Sequence, residues 1–127
     1  MTSLRTPLGR IRGLGSAKKG TEHFWRQRLT AIANIVLVSY LIVLLVRYAG
    51  ADFATVKGAL SNPLNSVALL LLVVSGVIHM RLGMQTIIED YIHSEGRKVA
   101  ALMLNTFFAI MVGVTCAFAV LKLSFGA

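Results

Sequence analysis

Charged residues are scarce in this chain of 127 residues. Only 14% are Asp, Glu, Lys or Arg, whereas 56% are hydrophobic, and the mean hydropathy is +0.73. A soluble domain of this size carries about a quarter charged residues, so this chain has too few polar groups to cover its own surface. The composition argues against an ordinary soluble domain and indicates a protein that faces lipid.

Acidic residues and cysteine are scarcer still. There are five Asp and Glu against thirteen Lys and Arg, and the single cysteine, Cys116, excludes a disulfide within the chain. Basic residues that flank apolar runs set the orientation of a membrane protein, so the net charge of +8 does not indicate nucleic-acid binding. Seven of the basic residues precede the first apolar run: Arg5, Arg10, Arg12, Lys18, Lys19, Arg26 and Arg28.

Three long runs contain no charge: Leu29–Val46, Gly58–Met80 and Val99–Leu121. A helix crosses the hydrocarbon core with about 20 residues, and only a helix satisfies its own backbone over a run this long in lipid. We therefore predict an all-α membrane protein with three transmembrane helices, at about residues 25–48, 63–91 and 97–123. They form a transmembrane domain at 21–127, which follows a mobile, basic cytoplasmic arm at 1–20.

The distribution of basic residues predicts the orientation. With the N-terminus in the cytoplasm, that side receives nine Lys and Arg and the opposite side receives three. The positive-inside rule then puts the N-terminus in the cytoplasm and the C-terminus in the periplasm. The end of the second helix, near Asp90 and Tyr91, faces the cytoplasm.

The second helix carries the candidate chemistry. His79 lies about 11 residues, or ~16 Å, from Asp90, which places it near the middle of the membrane. Ionisable residues at this depth are functional candidates. Gly83 and Gly76 lie within about 60° of His79 around the helix, so little side-chain bulk stands beside the imidazole. A flat metal cofactor needs such a face, although from spacing alone a packing role for His79 is the more frequent case.

Several other polar residues have open roles. Arg26 and Arg28 lie at the start of the first span beside Trp25 and suit lipid phosphates, while Arg28 also suits a buried propionate or a quinone carbonyl. Arg81 lies about 200° around the helix from His79 and has no firm assignment. His23 is equally unassigned, and His93 is expected in a solvated loop.

Two segments resemble one known family. Residues 79–93, HMRLGMQTIIEDYIH, contain the motif H-x3-G-x6-D-Y, and residues 23–33, HFWRQRLTAIA, begin the first helix. Together they resemble the hydrophobic membrane anchor subunit of succinate dehydrogenase, the D subunit of respiratory complex II, in its alphaproteobacterial form. The resemblance covers about residues 16–125.

The resemblance implies roles for five residues. His79 would be an axial ligand of haem b, with the other ligand a histidine of the companion cytochrome b556 subunit. Gly83 would pack against the haem, and Arg28 would approach its propionates. Tyr91 would donate a hydrogen bond to a carbonyl of ubiquinone, with support from Asp90.

The function implied is that of a membrane anchor of succinate:ubiquinone oxidoreductase, which passes electrons from succinate to quinone. The chain would be a non-catalytic subunit without catalytic residues of its own, bound to lipid and to the cytochrome b556, iron–sulfur and flavoprotein subunits. We expect a bacterial inner membrane rather than a mitochondrial one. One alternative is the anchor of a quinol:fumarate reductase. Another is a small transporter or assembly factor, with His79 and Asp90 as a proton relay, but the one-way basic bias and the lack of an internal repeat disfavour it.

The predicted orientation can be tested with reporters fused after Ala127. A reporter active only in the periplasm should give signal there, because the charge bias puts the C-terminus outside. A reporter active only in the cytoplasm should stay silent at the same position and give signal at the N-terminus. Signal from the cytoplasmic reporter at Ala127 would contradict the orientation.

Overall fold

A computed structural model describes residues 6–13 and 19–126, and all regular secondary structure in these residues is helical. Three helices are long and apolar enough to cross a membrane, which confirms the predicted fold class. Their orientation in the membrane stays a prediction. The helices are α1 (Pro7–Ile11), α2 (Lys19–Arg47), α3 (Phe53–Ser61), α4 (Pro63–Tyr91) and α5 (Glu95–Ser124).

Helix α4 begins and ends where the sequence predicts. The side chain of Asn62 accepts a hydrogen bond from the backbone N–H of Leu64 at 3.0 Å, and Pro63 occupies the first turn. Proline is suited to that position because its missing N–H would have no helical partner there. At the other end Ile92 adopts an extended conformation, and the helix stops at Tyr91.

The N-terminal part of the chain is more helical than expected. Helix α2 begins at Lys19 rather than near residue 25, and in its first turns Glu22 lies 2.5 Å from Arg26. An acidic residue in the first turn interacts favourably with the helix dipole, so it stabilises the part of α2 that precedes the apolar run. Helix α1 lies inside the predicted arm. Residues 1–5 and 14–18 lie outside the described residues, so the mobility of the arm stays a prediction.

Helix α3 is an addition to the predicted architecture. The chain leaves α2 through a turn at Gly50, whose φ of +78° suits glycine. The carboxylate of Asp52 then accepts a hydrogen bond from the Thr55 hydroxyl, which holds the pKa of Asp52 below its usual value. The short helix that follows connects α2 to the start of α4.

Helix α4 is the central one of the three spanning helices, because it packs against both α2 and α5. On the α5 side Ala109 is fully buried, and a side chain at Gly113 would lie 3.5 Å from Val77. Small residues at four-residue spacing let two helices approach closely. The Asn105 amide adds a hydrogen bond to the carbonyl of Arg81 at 3.0 Å.

A polar cluster closes the end of the bundle at the start of α4. The hydroxyl of Tyr40 on α2 donates to the side chain of Asn65, whose amide donates to the carbonyl of Ala59 at 2.7 Å. The hydroxyl of Ser124 at the end of α5 donates to that of Ser66 at 2.6 Å. These contacts connect α2, α3, α4 and α5, and they satisfy polar groups that would otherwise be costly to place in an apolar environment.

The chain buries little of itself. In the most apolar 18-residue stretch of each spanning helix only 6% is buried. The chain exposes 9668 Å² of accessible surface. A compact soluble protein of this mass exposes about 6,600 Å². The excess apolar surface must be covered by lipid or by other chains.

The polar cluster gives a test of the fold. Asn65→Ala removes the partner of Tyr40 and the donor to Ala59, so we expect the free energy of unfolding in micelles to fall by about 1 kcal/mol. Ser39→Ala is the control, because that hydroxyl is exposed on α2 and bonds to the carbonyl of Ile35. Equal stability of the two variants in a denaturant titration would show that the cluster does not stabilise the bundle.

Candidate functional site

His79 lies two residues past the middle of α4 and is half-buried against α2. Its ring nitrogen Nδ1 is 3.1 Å from the hydroxyl oxygen Oγ1 of Thr30. The contact joins the central part of α4 to the first half of α2. The histidine is therefore fixed between two helices through one ring nitrogen.

Thr30 is the most buried residue described on α2, with 8% of its surface exposed. Its hydroxyl is 2.8 Å from the carbonyl oxygen of Arg26 and 3.1 Å from that of Gln27. Its own carbonyl accepts a hydrogen bond from the hydroxyl of Ser75 at 3.3 Å. Since Ser75 and His79 are one turn apart, Thr30 contacts two successive turns of α4.

The two glycines beside His79 have little contact within the chain. A side chain at Gly83 would lie 3.5 Å from the Nε2 atom of Gln27, which is an ordinary van der Waals distance, and one at Gly76 would meet nothing within 4 Å. Alanine would therefore fit at both positions. Packing among the described residues does not explain why they are glycine.

The face of α2 that carries Thr30 also has polar atoms without partners. Among the described residues, three buried side-chain atoms make no hydrogen bond: Nε2 of His23, Oε1 of Gln27 and Oδ1 of Asn34. All three residues lie within about 60° of Thr30 around α2. Since a buried polar atom without a partner is costly, we expect ordered water between α2 and α4 to pair these atoms.

Arg28 is separate from this contact. Its guanidinium lies 5.0 Å from the centre of the Phe24 ring, and its side chain is exposed. It follows Arg26 and precedes Thr30 by two residues, so it lies about 160° around α2 from Thr30. The structure does not bring Arg28 and His79 together.

Arg81 and Arg26 instead share a cavity of about 400 Å³ between the three spanning helices. The Nε atom of Arg81 donates to the hydroxyl of Thr106 at 3.3 Å, and its side chain is exposed. The other lining residues are mostly apolar: Leu29, Thr30, Val77, Ile78, Leu82, Ala109 and Ile110. Neither Thr30 nor Arg81 has a role that the sequence alone predicts. The sequence pattern that could have indicated Thr30 is a polar residue at every third or fourth position from His23 to Asn34, inside or beside an apolar run.

Asp90 and Tyr91 occupy the last turn of α4, and both side chains are exposed. Tyr91 is 78% exposed. It follows His79 by twelve residues, or about 18 Å along the helix. The structure thus separates the two predicted sites along a single helix and leaves the phenol accessible to a partner or a ligand.

The described residues do not form a metal site of the zinc or calcium type, because no three His, Cys, Asp or Glu side chains among them converge. A metal bound through His79 would need its other ligands from a cofactor or another chain. A haem meets that requirement, since its ring supplies four nitrogens and one axial histidine suffices from this chain.

Comparison with known proteins places the chain in a family. Residues 2–115 match the family model described as succinate dehydrogenase/fumarate reductase transmembrane subunit. No solved structure matches the chain.

Similar curated proteins carry the name succinate dehydrogenase hydrophobic membrane anchor subunit. The protein of Rickettsia bellii (strain RML369-C) is 30% identical, over 84% of this chain and 86% of its own length. That of Paracoccus denitrificans is 29% identical, over 96% of this chain and 94% of its own. That of Rickettsia conorii (strain ATCC VR-613 / Malish 7) is 34% identical, over 76% and 78%. The chain belongs to the family of succinate dehydrogenase/fumarate reductase transmembrane subunits, as a membrane anchor subunit.

Proposed function

We propose that this chain is the membrane anchor of a succinate:ubiquinone oxidoreductase and that α4 serves both of its membrane cofactors. His79 would supply one axial ligand of haem b, and Tyr91 with Asp90 would supply part of the ubiquinone site. The observation that carries the proposal is the position of His79. It is a histidine in the middle of a spanning helix, attached to α2 through Nδ1 and flanked by glycines that the packing of this chain does not require.

The residues around His79 fit a haem. Contact at Nδ1 leaves Nε2 as the ligating nitrogen, and Gly83 and Gly76 keep the adjacent surface of α4 free of side-chain bulk. The haem would supply one-electron redox chemistry. This chain offers one ligand, so we assign the second to a histidine of the cytochrome b556 subunit. Arg28 is exposed and would neutralise a propionate presented at the surface between the two subunits.

Tyr91 and Asp90 suit a quinone at the membrane surface. The phenol O–H of Tyr91 would donate to a quinone carbonyl oxygen and stabilise the negative charge that develops there as electrons arrive. Asp90, next in the chain, would orient the phenol. Because both side chains are exposed, the rest of the quinone site would come from the partner subunits.

The proposal assigns the uncovered surface to partners. The cytochrome b556 subunit would cover the glycine face of α4, while lipid covers the remaining apolar surface. The iron–sulfur and flavoprotein subunits would bind on the cytoplasmic side, above Tyr91. We assign the complex to the inner membrane of a bacterium rather than of a mitochondrion, with the N-terminus in the cytoplasm.

The reverse reaction, quinol:fumarate reduction, uses the same parts, and the matched family includes both activities. We favour succinate oxidation because the similar curated proteins are named for succinate dehydrogenase. Membership of this family also favours the anchor over the alternative of a small transporter or assembly factor.

The haem assignment predicts the behaviour of His79→Ala. The purified complex should lose most of its dithionite-reduced b-type absorption, because the iron loses an axial ligand. His93→Ala is the matched control, since His93 is exposed after the end of α4. An unchanged b-type spectrum in His79→Ala would exclude this residue as a ligand.

The quinone assignment predicts a selective effect of Tyr91→Phe. Reduction of ubiquinone should fall by about 10-fold or more, because the donor to the developing charge is lost. Succinate oxidation by a soluble dye should be unchanged. Tyr48→Phe, the same substitution at the opposite end of the bundle, should leave both activities intact. Parallel loss of both activities in Tyr91→Phe would mean that the complex is misassembled, and the quinone role would be rejected if both were retained.

A further inference from the structure

We propose that Thr30 is a positioning residue for His79, which fixes the imidazole as the tautomer with its proton on Nδ1. The inference depends on the proposed role of His79 as a haem ligand. It assigns a function to a residue that never touches the cofactor. The contact that carries it is the 3.1 Å approach of His79 Nδ1 to Thr30 Oγ1.

The direction of this hydrogen bond follows from the donors and acceptors present. A threonine hydroxyl has one proton, and that of Thr30 lies 2.8 Å from the carbonyl of Arg26 and 3.1 Å from that of Gln27. Carbonyl oxygens only accept, so the hydroxyl proton is directed to them. The hydroxyl oxygen then faces His79 with a lone pair and accepts from Nδ1–H.

A neutral imidazole has a single N–H, and the partner of one nitrogen decides which nitrogen carries it. With the proton on Nδ1, the lone pair of Nε2 is free to bind iron. The opposite tautomer would direct two lone pairs, one on Nδ1 and one on Thr30, at each other. Thr30 therefore selects the ligating nitrogen before any haem arrives.

The hydroxyl is held rigidly enough to act in this way. Thr30 is buried between α2 and α4, and β-branched residues have restricted χ1 rotamers in a helix. The hydroxyl of Ser75 donates to the carbonyl of Thr30 at 3.3 Å, one turn of α4 from His79. The bonds of the hydroxyl to the carbonyls of Arg26 and Gln27 therefore fix its direction, whereas the longer Ser75 contact adds only to the contact between the two helices.

A histidine becomes a stronger ligand when its ring nitrogen that does not bind the metal donates to a hydrogen-bond acceptor. This stabilises the oxidised iron and orients the ring. Loss of the acceptor should therefore raise the midpoint potential of the haem and lower the affinity for it. Outer-shell substitutions of this kind cost about 10- to 100-fold in metal affinity.

The test compares Thr30→Val, Thr30→Ser and Ser75→Ala in the whole purified complex. Thr30→Val keeps the shape of the side chain and removes the hydroxyl, whereas Thr30→Ser keeps the hydroxyl. Ser75→Ala weakens the same helix contact without touching the imidazole. Redox titration followed at the b-type band gives the midpoint potential, and low-temperature electron paramagnetic resonance of the oxidised complex reports the axial field of the iron.

We expect a higher potential, a shifted resonance and lower haem occupancy in Thr30→Val, with wild-type values in Thr30→Ser and Ser75→Ala. Thr30→Val replaces the hydroxyl with a second methyl group, and that variant could fail to assemble. In that case Thr30→Ala removes the hydroxyl without adding a methyl group, and it is expected to give the same shifts. A wild-type potential and resonance in the variant without the hydroxyl would overturn the proposal, as would an equal shift in Ser75→Ala. Those results would leave the haem role of His79 intact, because that role fails only if His79→Ala retains its haem spectrum.

Discussion

The contact between Thr30 and His79 determines how this small bundle is organised. It lies in the first half of α2 and near the middle of α4, where an unpaired polar group in lipid would be costly. Two other polar side chains of the spans are paired in the same way. Asn105 bonds to the backbone of α4, and Asn65 of α4 receives the hydroxyl of Tyr40. Helix α4 is therefore the element on which both neighbours converge, and it presents its chemistry from a fixed position.

What α4 and its neighbours leave unsatisfied is as informative as what they pair. Little of each apolar span is buried. Glycines stand beside His79 where alanine would fit. These features make sense in an anchor subunit whose pockets are completed by other chains. In the proposed function, one helix would present a haem ligand at mid-membrane and a quinone donor at its end, about 18 Å apart.

The sequence predicts the spans well because hydropathy and helix caps are local signals. Pro63 and Tyr91 bound α4 as predicted, since Asn62 caps the helix and its apolar run passes continuously through His79. The early start of α2 could not be obtained in the same way, because it depends on a polar segment that precedes the apolar run. Helix α3 has only nine residues, too few to be recognised as a span by hydropathy. The contact behind the proposed role of Thr30 could not be predicted for another reason. Its partner lies 49 positions away, and no periodicity within α2 identifies that residue.

We propose that His79 ligates haem b through Nε2 while Thr30 holds Nδ1. The decisive measurement is an experimental density map of the assembled complex, at a resolution that separates the imidazole from its neighbours. We expect continuous density from Nε2 of His79 to the haem iron, with Thr30 Oγ1 within hydrogen-bond distance of Nδ1. Iron bound by residues of other chains alone, or bound through Nδ1, would contradict it.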